Sequence, residues 1–146
     1  DLIVVPLFET IEDLRNAAER VARQAYAPHS GYHVGAALRS ANGQTYVGCN
    51  VENASYPVSA CAERGAISAA VAAEGRGFRL DAIAVVALNA QGEWLPVTPC
   101  GACRQMLVEF GAEAEVGFNG PDAGWQTVRA GDLLPYRFIL PDTGPR

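Results

Sequence analysis

Apolar residues first recur at helical spacing at Ile11, Leu14, Ala18, Val21 and Ala25, with Glu12, Arg15, Glu19 and Arg23 on the other faces. Thr10 stands at the N-cap position, and Asp13 three residues on is a capping-box partner. This spacing predicts a scaffold helix that ends near Tyr26, ahead of Pro28. Two apolar runs, 34–40 and 44–50, flank Ala41, Asn42 and Gly43, and an Asn-Gly pair in that setting predicts a hairpin. Gly35 and Gly48 thin these strands and imply close approach of another backbone. A mostly apolar stretch over 61–74 reads as a second helix, stopped at Gly75, Arg76 and Gly77. Residues 80–88 are apolar without alternation, the pattern of a central strand covered on both faces. A turn at 89–92 follows. Pro99 precedes a third helix over 100–110, closed by Gly111. Short strands are expected at 114–118 and 126–128, a last helical turn from Asp132, and a loose tail after Leu140.

The order helix, hairpin, helix, strand, helix, strand, strand predicts an α/β fold. It is a three-layer α/β/α sandwich with a mixed five-stranded sheet. A chain of 146 residues suits a single domain over 1–146, and 49% apolar residues supply its core. No run of eighteen apolar residues is present, so no membrane span is expected. The first residues lack a basic start and a cleavage site, so no signal peptide is expected. A net charge of −5 speaks against a protein that grips nucleic-acid backbone. It leaves a nucleoside open as substrate, because a nucleoside carries no phosphate.

Four cysteines change the picture. With no sign of secretion, Cys49, Cys61, Cys100 and Cys103 point to a metal or catalytic role in the cytoplasm rather than to disulfides. Cys61 starts one predicted helix, and Cys100 and Cys103 lie three apart at the start of another, so both can face one side. Helix N-termini favour thiolate over thiol. Three thiolates can hold a zinc ion and leave a fourth position for water, and Glu63 is placed to move protons to and from that water. Arg64, beside both Cys61 and Glu63, is the better candidate to offset the thiolate charge, with Arg104 the alternative. Cys49 is expected to be a small buried side chain at a strand end. A structural zinc site would need a fourth protein ligand, for which Cys49, His29 and His33 are the candidates.

Cys61, Ala62 and Glu63, followed by Pro99, Cys100, Gly101, Ala102, Cys103, Arg104 and Gln105, resemble the motifs of the zinc-dependent cytidine deaminases. The first ligand position, often His in zinc deaminases, is Cys here, as in the small homotetrameric members. The likeness extends to Val34 through Leu38, to Gly48 through Asn53, and to Leu133, Leu134, Pro135 and Phe138.

The resemblance implies one zinc per subunit and a homotetramer with active sites at subunit interfaces. It implies hydrolytic deamination of cytidine and deoxycytidine to uridine and deoxyuridine, a step of pyrimidine salvage. Glu63 would be the proton shuttle. Asn50 and Glu52 would hold the ribose hydroxyls, with Ala62 beside them in the nucleoside pocket, and Phe138 would stack on the base from a neighbouring subunit. Tyr32 stands where Phe is usual and His33 where Pro is common, so the Tyr32 hydroxyl must find water or a polar partner. Two other readings remain open at this point: a deaminase of another aminopyrimidine such as a blasticidin-type nucleoside, and a non-catalytic zinc-stapled module. Glu63 discriminates against the module, which has no use for it.

Overall fold

The computed structural model describes residues 9–122 and 124–141. Helix α1 (Ile11–Ala22) opens on the predicted capping box: Thr10 Oγ1 accepts from the Asp13 N–H, and the Asp13 carboxylate accepts from the Thr10 N–H. It stops four residues short of Tyr26 because Tyr26 has other partners. The Tyr26 N–H donates to the Asn50 carbonyl at 3.1 Å, and its own carbonyl accepts from the Glu52 N–H at 2.8 Å. A pairing that far along the chain overrides helical periodicity.

Strands β1 (His33–Ser40) and β2 (Thr45–Cys49) form the expected hairpin. Helix α2 (Ala62–Glu74) ends at Gly75, whose φ of 72° lies in the left-handed region that glycine tolerates. Strand β3 (Leu80–Leu88) follows, then the two-residue strand β4 (Trp94–Leu95), helix α3 (Gly101–Gly111), and strands β5 (Glu115–Gly120) and β6 (Gly124–Arg129). The last helical turn is 3-10 and spans Ala130–Leu133, starting two residues earlier than expected. Of the expected loose tail, only Pro141 lies within the described residues.

The sheet runs β2-β1-β3-β5-β6, with β3 and β5 parallel and the other pairs antiparallel. The expected five strands are these. A sixth strand escaped the sequence: β4 pairs with Ala87 and Leu88 at the end of β3, beyond the part of that edge that β5 covers. Two residues are too few to carry a periodic pattern.

Strand parity divides the core. Ala37, Ala82, Ala84, Val86 and Leu88 point to one face and pack with Leu14, Ala17, Ala18 and Ala22 of α1. Ala36, Leu38, Ile83, Val85 and Ala87 point to the other and pack with Ala62, Ala66, Ile67 and Ala70 of α2 and with Leu107 and Val108 of α3. Helices therefore cover both faces of a mixed sheet, which is the three-layer arrangement expected. Among the described residues, no helix is long and apolar enough to cross a membrane.

Gly48 fixes how closely α2 approaches β2. A Cβ at Gly48 would lie 2.5 Å from the Ala62 carbonyl oxygen and 2.8 Å from the Gly65 carbonyl carbon. Both are backbone atoms of the first turn of α2, which cannot rotate aside. Gly48→Ala should therefore cost about 1–3 kcal/mol of stability, as overpacking does. It should also weaken metal retention, because the displaced turn carries Cys61 and Glu63. Chemical denaturation of the variant checks this, and an unchanged midpoint would refute the close-approach account.

Candidate active site

The β3–β5 parallel pairing, with α3 as its crossover, sets the start of α3 beside the start of α2. Cys61 is the N-cap of α2, Cys100 the N-cap of α3, and Cys103 lies in the first turn of α3. Neither N-cap side chain bonds to the helix it opens, so the sulfurs are not drawn back onto backbone N–H groups. The three Sγ atoms all lie within 4.8 Å of one another. Among the described residues, neither Cys49 nor either histidine joins this cluster. Cys49 is half-buried at the end of β2, less enclosed than expected.

The sulfurs do not ionise alike. Hydrogen bonds, from Cys103 first and then Cys100, pull the Cys61 thiol down to about 6, and the Arg64 guanidinium adds to this against the effect of burial. Cys103 moves the other way: its hydrogen bond to Cys61, then burial and the Glu63 charge, push it far above the ordinary thiol range. The cluster accepts one negative charge readily and resists a second. A dication removes that resistance, and soft thiolates at mutual distances under 5 Å suit zinc. The residues present therefore fit the metal.

Glu63 is 4% exposed in the first turn of α2. Burial raises its carboxyl above the usual carboxylate range, Cys61 adds to this, and hydrogen bonds from its own N–H and from Cys103 act against it. A cavity of about 280 Å³ opens beside it, close to the roughly 300 Å³ lower end for small-molecule sites. Tyr32, Asn50, Glu52, Ala62 and Glu63 line the cavity, together with Cys61 and Cys100. The fold thus brings together the predicted acid, two of the sulfurs and four of the five predicted pocket residues.

The structure also adds detail to the predicted pocket residues. The Asn50 side chain is bound to the entry of β1: Oδ1 accepts from the Val34 N–H at 2.8 Å, and Nδ2 donates to the Tyr32 carbonyl at 2.8 Å. Glu52 Oε1 accepts from the His29 and Ser30 N–H groups at 2.9 and 3.2 Å, and Oε2 accepts from Ser30 Oγ at 2.5 Å. The hydrogen bond from the Ser30 hydroxyl, then those from the two N–H groups, hold the Glu52 carboxyl below its usual range. The Tyr32 hydroxyl finds its polar partner in the Pro96 carbonyl.

Arg64 is exposed at the helix start, with its charge felt at Cys61. Arg104 is committed elsewhere, donating to the carbonyls of Pro99 at 2.7 Å and Leu133 at 3.1 Å. Phe138 does not line this cavity. Its side chain is exposed, and its carbonyl accepts from Gln105 Nε2. Sequence reasoning missed Val97 and Thr98, which also line the cavity, and Ser30, which holds Glu52. For the first two, adjacency to Pro99 and Cys100 was a usable signal. Nothing in the sequence links Ser30 to a residue twenty-two positions away.

Residues 8–118 match the family described as the cytidine and deoxycytidylate deaminase zinc-binding region. The chain belongs to that family. Among its relatives is a cytidine deaminase of Sporosarcina psychrophila, 46% identical over 100 residues, which are 68% of this chain and 69% of that protein. Another is a cytidine deaminase of Mycobacterium tuberculosis strain H37Rv, 42% identical over 88% of this chain and 90% of that one. The crystal structure of cytidine deaminase from Burkholderia pseudomallei superposes with a TM-score of 0.76 at 43% identity, covering 89% of this chain and all of that one. The Mycobacterium tuberculosis crystal structure gives 0.74 at 40% identity, over 88% and 97%. The family's zinc-binding region and the Cys61, Cys100 and Cys103 cluster together assign this deaminase one zinc ion per chain.

Proposed function

We propose that the chain is a zinc-dependent cytidine deaminase that converts cytidine and deoxycytidine to uridine and deoxyuridine with release of ammonia. One observation carries this reading: a buried carboxyl, Glu63, stands in the wall of a nucleoside-sized cavity beside a three-sulfur cluster. Zinc held by Cys61, Cys100 and Cys103 supplies a Lewis acid that makes water a nucleophile at neutral pH. Glu63 would take a proton from that water and deliver it to N3 of the ring as C4 is attacked, then take the proton of the new C4 hydroxyl and pass it to the amine, so that ammonia leaves as the C4 carbonyl forms. Its raised affinity for a proton suits a group that must both accept and return one. Arg64 offsets part of the charge of three thiolates on one dication.

Asn50 and Glu52 bind the sugar, and Tyr32 and Ala62 form part of the wall around the nucleoside. Phe138 serves the cavity of a neighbouring chain in a homotetramer. Its exposure, with that of Ile139 and Leu140 and of Tyr56 and Val58, supports such an assembly, since large exposed apolar side chains in groups mark contact surfaces. The unit is one catalytic domain over 1–146. Three reduced thiols as ligands suit a reducing compartment, so the proposed place is the cytoplasm and the proposed role pyrimidine salvage.

A zinc assay combined with a screen of cytidine, deoxycytidine, cytosine, deoxycytidylate and adenosine tests the activity. The expected result is one zinc per chain, turnover of the first two with ammonia release, and little or none of the others. A zinc-loaded chain that leaves both nucleosides intact would overturn the reading. Light scattering of the active enzyme tests the assembly, and a fully active monomer would exclude the tetramer.

A further inference from the structure

The segment over residues 96–99 runs from β4 into Cys100, so its Val97 and Thr98 form the wall of the cavity next to the sulfur cluster. The buried side chains of Val97 and Pro99 hold it to the core, but its main chain has few hydrogen bonds. Pro96 and Pro99 have no N–H to give, and no strand ladder covers the segment. Three bonds fix it. The Val97 N–H donates to the Asn119 carbonyl at 2.9 Å, Arg104 Nε donates to the Pro99 carbonyl at 2.7 Å, and the Tyr32 hydroxyl donates to the Pro96 carbonyl. Of the three partners outside the segment, Asn119, Arg104 and Tyr32, it is Tyr32 that itself lines the cavity. The main chain of Tyr32 also serves the sugar-binding pair. Its N–H donates to Ser30 Oγ at 3.0 Å, and that hydroxyl donates to Glu52. Its carbonyl accepts from Asn50 Nδ2.

We propose that Tyr32 is a positioning residue whose hydroxyl, through the Pro96 carbonyl, fixes the Val97–Thr98 wall against which the pyrimidine ring is seated. Its main chain separately holds Asn50 and, by way of Ser30, Glu52. One residue thus ties the sugar side of the cavity to the ring side, and the two ties are separable by mutation. The role in substrate binding rests on the deaminase reading, whereas the anchoring of the segment does not.

The test is Tyr32→Phe in the zinc-loaded enzyme. It removes the hydroxyl and keeps the ring and all main-chain bonds. One hydrogen bond of net worth lost from the wall should raise KM for cytidine and deoxycytidine about three- to tenfold. The ratio of the two KM values should stay constant, because the sugar-side bonds are untouched, and kcat should change by less than about twofold. Amide hydrogen exchange should quicken in the peptide spanning 94–100, with zinc content unchanged and the melting temperature lowered by no more than about 2–4 °C. An unchanged KM, a shift in the ratio, or a fall in kcat at constant KM would each overturn the positioning role. Should the wild-type enzyme deaminate neither nucleoside, the deaminase reading falls by itself. The exchange comparison then still decides the anchor, and no acceleration over 94–100 would overturn it.

Discussion

Glu63→Gln should lower kcat for cytidine by about 10²- to 10⁴-fold while one zinc stays bound. At about 1.36 kcal/mol per tenfold, this is roughly 3–5 kcal/mol of transition-state stabilisation lost. The amide has the size of the carboxyl and fits the same buried position, so the loss reports proton transfer rather than packing. Stability should move the other way. Burial raises the Glu63 carboxyl above its unfolded value, so its charged form disfavours folding, increasingly as the pH rises through the raised pKa. Glutamine has no such charge. Compared as metal-free chains at neutral pH, the variant should melt no lower than the wild type. Activity within about tenfold of wild type would remove Glu63 from the mechanism. A clearly lower melting point would mean that contacts of the carboxylate outweigh the cost of burying its charge.

Cys100→Ala should abolish stoichiometric zinc and activity together. Cys100 is exposed, so its sulfur contributes little packing and its loss is mainly the loss of a ligand. Two thiols remain, which is short of the three protein ligands that catalytic zinc sites retain. A bound metal stabilises the folded state by mass action, about 4 kcal/mol at a thousand times the dissociation constant. The wild-type melting temperature should therefore fall on adding a chelator, whereas that of the variant should not respond. Metal analysis and melting curves with and without chelator measure both. A variant that still holds one tightly bound zinc would mean that the ligand set is misassigned.

The layered fold and the metal cluster were legible in the sequence because their signals are local. The capping box at Thr10 and Asp13, the Asn-Gly hairpin and the unbroken apolar run of β3 each need only a few neighbouring residues to be read. The cysteines were legible for another reason, since chemistry of that type at those spacings has few uses. What escaped depends on partners distant in the chain. The early end of α1 is set by the bonds of Tyr26 to Asn50 and Glu52. The strand β4 exists because the end of β3 has an uncovered edge. Asn50 and Glu52 both line the cavity, and periodicity carries no hint that residues 29–34 bind both side chains.

The turn that holds Glu52 also limits what that carboxylate can do. A carboxylate offers about four lone pairs. Two on Oε1 are taken by the His29 and Ser30 amides, and one on Oε2 is taken by the Ser30 hydroxyl. One lone pair, on Oε2, is left. In the proposed role Glu52 therefore accepts one sugar hydroxyl and cannot grip a vicinal diol with both oxygens. A nucleoside that lacks its 2′-hydroxyl gives up no bond to a group with room for only one, so this carboxylate anchors the sugar without grading it.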